Sequence, residues 1–68
     1  MKMEIEHLVD GTILLNGYSG YLATDQAVAA VKSQCGVEIT LADWEVTFHR
    51  FKIGRELITS FCFRPKNP

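Results

Sequence analysis

The chain has 68 residues, a formal net charge of -1 and a hydrophobic content of 47%. That length allows one domain with a small core, and the apolar content is too high for a disordered segment. The charge argues against a dedicated nucleic-acid binder, which needs a basic surface for phosphate contacts; Cys35 and Cys62 are too few for a secreted disulfide scaffold, and no apolar run approaches the ~18 residues of a membrane span.

Lys2 to Leu8 alternates polar and apolar residues, and Asp10-Gly11 is a strong turn signal, so a first hairpin is expected. Loop length decides which side chains share a face. A two-residue Asp10-Gly11 loop pairs Ile5 with Asn16 and His7 with Leu14, and mixes both faces. A three-residue Val9-Asp10-Gly11 loop, with Gly11 left-handed, pairs Ile5 with Leu15 and His7 with Ile13. Met3 then joins them on one apolar face, and this register is preferred. The same alternating stretch carries acids and lacks the apolar core of a signal peptide, so a cytoplasmic protein is expected.

Gly17-Tyr18-Ser19-Gly20-Tyr21 is expected to end the strand in a flexible connection. Its G-x-x-G is not a phosphate cradle. Such loops place glycine directly at a helix N-terminus with a lysine following, whereas here the helix starts later and opens on Asp25, which repels anions. Nor does it lie between two helices, as the KH-type loop does. Tyr18 and Tyr21 are candidate partner contacts, because tyrosine is favoured at interfaces. Thr24 is the expected N-cap of a helix ending near Cys35, with Gly36 as its left-handed terminator. Val28, Val31 and Cys35 form its apolar stripe, flanked by Ala27 and Ala30. Because the stripe is built of small residues, the large aromatics of the core must come from strands.

Thr40 followed by Asp43 predicts one tight helical turn that aims Trp44 into the core. Trp44 to Arg64 then reads as a second hairpin around Lys52-Ile53-Gly54-Arg55. With Ile53-Gly54 as the loop, Trp44, Val46 and Phe48 share a face with Leu57, Phe61 and Phe63. The other face carries His49, Phe51, Ile58 and Cys62. One more loop residue would turn Ile58 and Cys62 inward and Leu57, Phe61 and Phe63 outward; the first register is preferred. Pro65 cannot donate to a ladder, so the last strand is expected to stop at Arg64. One domain over residues 1–64 and a frayed polar tail over 65–68 follow. The order β-β-α-β-β predicts an α+β fold, a four-stranded antiparallel sheet with one helix packed on one face. One helix cannot cover both faces, so the second must meet solvent or a partner.

Chemistry-bearing residues are sparse. His7 is expected to be a hydrogen-bonded, partly buried side chain on the apolar face of the first hairpin. The two histidines and two cysteines include no Cys-x-x-Cys or His-x-x-x-His pair, so no metal and no cofactor are expected. A thiol nucleophile needs a histidine in contact, and Cys35 on a helix and Cys62 in a strand interior suggest none. Paired acids need a pocket of the usual ~300 Å³ or more, for which so small a domain has little room. No catalytic residue is assigned, and a non-enzymatic interaction protein is expected: a protein-binding or self-associating module, by its size an inhibitor or adaptor of a larger partner, and most simply a homodimer. Phe51, Ile58, His49, Tyr18 and Tyr21 are its partner-binding candidates. The alternative is a nucleic-acid-binding module using Arg50, Lys52 and Arg55 at the hairpin tip, with Phe51 and His49 as stacking groups. Arg64 and Lys66 lie at the other end of the hairpin, about 30 Å away at ~3.3 Å per residue, and do not extend that patch. A third reading places a ligand or catalytic site at a subunit seam near His49.

Overall fold

The computed structural model describes residues 2–18 and 20–66. Four antiparallel strands, β1 (Lys2–His7), β2 (Ile13–Tyr18), β3 (Trp44–Ile53) and β4 (Glu56–Pro65), form one open sheet in the order β1-β2-β4-β3. The helix α1 (Thr24–Cys35) lies on one face. This is the expected α+β fold. The last strand enters the middle of the sheet, and β1 and β3 are left as edges.

The first hairpin has the preferred register. Ile5 pairs with Leu15 and His7 with Ile13, and Gly11 takes φ 91°. The Gly11 N–H donates to the Leu8 carbonyl, and Thr12 N–H donates to Asp10 Oδ1 at 2.9 Å, so an Asx turn carries the chain round. Hydrogen bonding from Thr12, aided by the Arg64 charge, holds the Asp10 carboxyl below its ordinary value of 3.8. His7, expected to be partly buried, is exposed, because it ends an edge strand.

The second hairpin keeps the expected faces but changes its pairs. Its loop is Gly54-Arg55, so Ile53 pairs with Glu56, Phe48 with Phe61 and Val46 with Phe63. An Ile53-Gly54 loop would have placed Phe48 opposite Thr59. Tight hairpin turns need a positive φ at their first central residue, and Gly54, at φ 62°, supplies it only when it leads the loop. Moving a two-residue loop along by one shifts every pair by two, so no side chain changes face.

The helix begins one residue earlier than expected: Ala23, not Thr24, is the N-cap. The Ala23 N–H donates to Gln26 Oε1 at 2.9 Å, which fixes that start. Gly36 closes the helix at φ 69°, its N–H donating to the Lys32 carbonyl. Ala27, Ala30 and Val31 are its buried face, and Val28 and Cys35 flank it. They cover Ile13, Leu15, Phe61 and Phe63, the fully buried centre of the core. Phe61 and Phe63 stack at 5.9 Å, and Phe48 lies 5.6 Å from Phe61.

Thr40 to Trp44 makes the expected helical turn, with the Trp44 N–H donating to the Thr40 carbonyl at 2.9 Å and Thr40 Oγ1 to Asp43 Oδ2 at 3.2 Å. Trp44 packs on the margin of the core and stays half-buried. Strand β4 runs one residue past the expected end, to Pro65, which pairs with Trp44. The Lys66 N–H donates to the Asp43 carbonyl and its Nζ to the Leu41 carbonyl, so the first two residues of the expected frayed tail are held. Asn67 and Pro68 of that tail, and Ser19 of the expected flexible loop, lie outside the described residues.

Candidate functional site

Alternation along four strands places every second side chain on the face away from α1. The registers align these side chains in rows. Glu6, Leu14, Cys62 and Thr47 form one row; Glu4, Asn16, Ser60 and His49 the next; Lys2, Tyr18, Ile58 and Phe51 the third. Charge is confined to the margin, on the edge strands and at the ends of β4. The two central strands contribute Leu14, Asn16, Tyr18, Ile58, Ser60 and Cys62, and no Asp, Glu, Lys or Arg stands among them.

Tyr18, Ile58 and Phe51 thus lie side by side in the third row. Gly17 and Tyr18 belong to strand β2 and not to a loop, and that is what brings Tyr18 into this row. Ile58 is only 5% exposed yet is not part of the core under the helix. Phe51 is 44% exposed, and Ile53, read from sequence as a loop residue, is 64% exposed at the end of the same face. The Tyr18 hydroxyl donates to Glu4 Oε2 at 3.4 Å. Burial of the ring, then the Glu4 charge and hydrogen bond and the Glu56 charge, push that hydroxyl above its ordinary value of 10.0, so Tyr18 stays neutral in the physiological range. His49 is exposed, opposite Ser60 and diagonal to Cys62.

Tyr21 stands apart from these four candidates. It lies on the helix side of the sheet, where the Arg50 guanidinium sits 4.2 Å from its ring centroid and 4.6 Å from that of Phe48. Arg50 Nη2 also donates to the Leu22 carbonyl at 3.4 Å. Arg50 shares the inner face with Phe48 because the two are two positions apart in one strand, with only His49 between them. The Arg50, Lys52 and Arg55 cluster is therefore divided: Arg50 is engaged with two aromatic rings on the inner side, Lys52 follows on that side, and Arg55 lies in the turn.

Two shallow open depressions mark the surface. One, of about 550 Å³, is lined by Gly20, Ile53, Arg55, Glu56 and Leu57. The other, of about 340 Å³, is lined by Glu4, Ile5, Glu6, Leu14 and Asn16. Both exceed the volume expected from chain length, because they are hollows between surface side chains rather than cavities enclosed by the core. Among the described residues, no group of three or more His, Cys, Asp or Glu side chains could hold a metal ion, and no helix is long and apolar enough to cross a membrane. Cys35 and Cys62 are free thiols on opposite sides of the sheet. The chain matches no protein family, no curated protein and no solved structure.

Proposed function

We propose that this chain is a non-enzymatic interaction module that docks a protein surface on the sheet face opposite its helix. The observation that carries the reading is the third row of that face, in which Tyr18, Ile58 and Phe51 align across three strands. An aromatic and apolar row bordered by charged side chains matches the composition of protein interfaces. The nucleic-acid alternative draws less support, since Arg50 spends its guanidinium on Tyr21 and Phe48.

A photo-reactive phenylalanine analogue at position 51, introduced in the cells that make the protein, tests this. It is expected to give an adduct of one defined mass. The same analogue in place of Lys32, on the exposed side of the helix, is expected to give none. Equal labelling from both positions, or none from position 51, would count against the reading.

A further inference from the structure

We infer that the occupant of the open face is a second copy of this chain, stacked face to face about a two-fold axis that runs parallel to the strands between β2 and β4. The inference rests on the interaction reading above and names the partner.

The four-stranded order makes the face divisible into halves. Rotation about that axis lays β2 of one copy over β4 of the other, and β1 over β3, with every row superposed on itself. The two central positions of each row are then complementary. Leu14 meets Cys62 of the second copy, Asn16 meets Ser60, and Tyr18 meets Ile58. Along these strands apolar lies on apolar and amide on hydroxyl, and at the margins Glu6 meets Thr47 and Lys2 lies over Phe51.

Charge selects this axis over the other in-plane choice. The β1 margin carries Glu4 and Glu6, with Lys2 bridging to Glu4 at 3.8 Å. An axis perpendicular to the strands, through the middle row, would lay that margin on itself, with Glu4 against Glu4 of the second copy and Glu6 against its Lys2. The parallel axis lays it on the β3 margin, where the matching positions are Thr47 and His49. Glu4 and His49 share a row, so each carboxylate meets an imidazole of the other copy, twice per dimer.

Area sets the strength. Four strands about 4.8 Å apart and some 20–25 Å of common length give a flat face of about 400–500 Å² per copy. Two such faces approach the roughly 1,000 Å² at which specific association begins. The expected species is a reversible dimer whose population rises with concentration.

The two thiols read out the geometry. Cys62 lies in the stacked face and Cys35 on the helix side, and each is half-buried in the single chain. Light scattering and alkylation rates, measured over one concentration series, are expected to show mass doubling while Cys62 labelling slows several-fold and Cys35 labelling does not. His49→Glu, a change at an exposed position, is expected to leave the thermal transition in place and return the protein to monomer. Adding Glu4→Lys to it is expected to restore the dimer. A dimer with unprotected Cys62 would overturn the stacked face and indicate pairing through an edge strand. A monomer at every concentration would overturn the second copy as occupant; the interaction reading would then stand on an adduct of other mass at position 51, and fall without one. Failure of Glu4→Lys to rescue His49→Glu would overturn the axis.

Discussion

The guanidinium of Arg50 lies 4.2 Å from the ring centroid of Tyr21 and ties the segment before the helix to edge strand β3. Phe48 forms the other side of the stack, and the Leu22 carbonyl accepts from the same group. Stacking of this kind is worth about 0.5–1 kcal/mol per ring at an exposed site. Arg50→Ala is therefore expected to cost about 1 kcal/mol, or roughly 4–8 °C in Tm for a domain of this size. Arg50→Lys should retain only part of it, since it keeps the charge and loses the plane. Thermal unfolding of both variants, closed into a double-mutant cycle with Tyr21→Ala, measures the coupling.

The centre of the core predicts the largest single losses. Phe61 is fully buried between Leu15 and Phe48, whereas Trp44 lies half-buried at the margin. Removing a buried phenylalanine side chain costs about 3–5 kcal/mol. A chain this size has a total stability of roughly 3–10 kcal/mol at ~0.05–0.15 kcal/mol per residue. Phe61→Ala is expected to leave little or no cooperative transition, and Trp44→Ala to melt at reduced temperature but cooperatively. Urea titration of the two variants checks the order.

These residues also show how far the sequence could be read. Period-two alternation placed Trp44, Val46, Phe48, Phe61 and Phe63 on one face and His49, Phe51 and Ile58 on the other, and all lie there, because alternation survives any shift of the register by two. The pairs themselves were not legible from alternation. They follow from which loop position Gly54 occupies, and the positive φ required at the first position was the signal available for it. The insertion of β4 between β2 and β3 was not legible either, since it depends on pairing between residues 40 to 50 positions apart in the chain. Nor was the Tyr21–Arg50–Phe48 stack, although alternation alone already places Arg50 on the face of Phe48 and away from His49. Among the partner-contact candidates, Tyr18 was read as a loop residue because two glycines surround it. Gly17 is instead a strand residue opposite Thr59, and this puts Tyr18 beside Ile58.

Gly11 should tolerate a side chain less well than the other two left-handed glycines. Its φ is 91°, and an added Cβ would lie 3.2 Å from Pro65 Cγ. Gly36 and Gly54 have φ of 69° and 62° and nothing within 4 Å of an added Cβ. Alanine at the latter two is expected to cost about 1–2 kcal/mol, the usual strain of a left-handed residue. Gly11→Ala is expected to cost more, because ring and methyl must also separate. Comparing the denaturation midpoints of the three variants tests the ranking.

Asp10 makes the stability depend on pH on the acid side. Its folded-state pKa lies below the ordinary 3.8, chiefly through hydrogen bonds from Thr12 and then the Arg64 charge. Between the two values the unfolded chain binds more protons, so stability rises with pH there. The contribution is complete above the unfolded value and is lost as pH falls through the folded one. Asp10→Asn keeps an acceptor for Thr12 but has no charge to lose. Wild type is expected to exceed it in Tm at neutral pH, with the difference closing below about pH 4. A difference that is constant with pH would show that the carboxylate charge plays no part.

Thr59 offers the opposite kind of variant, one that stabilises. Its side chain is fully buried on the helix side, opposite Gly17 and Arg50, and its hydroxyl has no hydrogen-bond partner among the described residues. A buried hydroxyl without a partner costs about 1–3 kcal/mol of desolvation. Valine has nearly the same shape, carries no polar atom and is at least as favourable in a strand. Thr59→Val is therefore expected to raise stability by about 1–2 kcal/mol, or roughly 4–16 °C in Tm. Thr59→Ser keeps the hydroxyl and removes the methyl, so it should destabilise. If valine lowered Tm as serine does, the hydroxyl would have to be satisfied in solution, and its burial would carry no cost to recover.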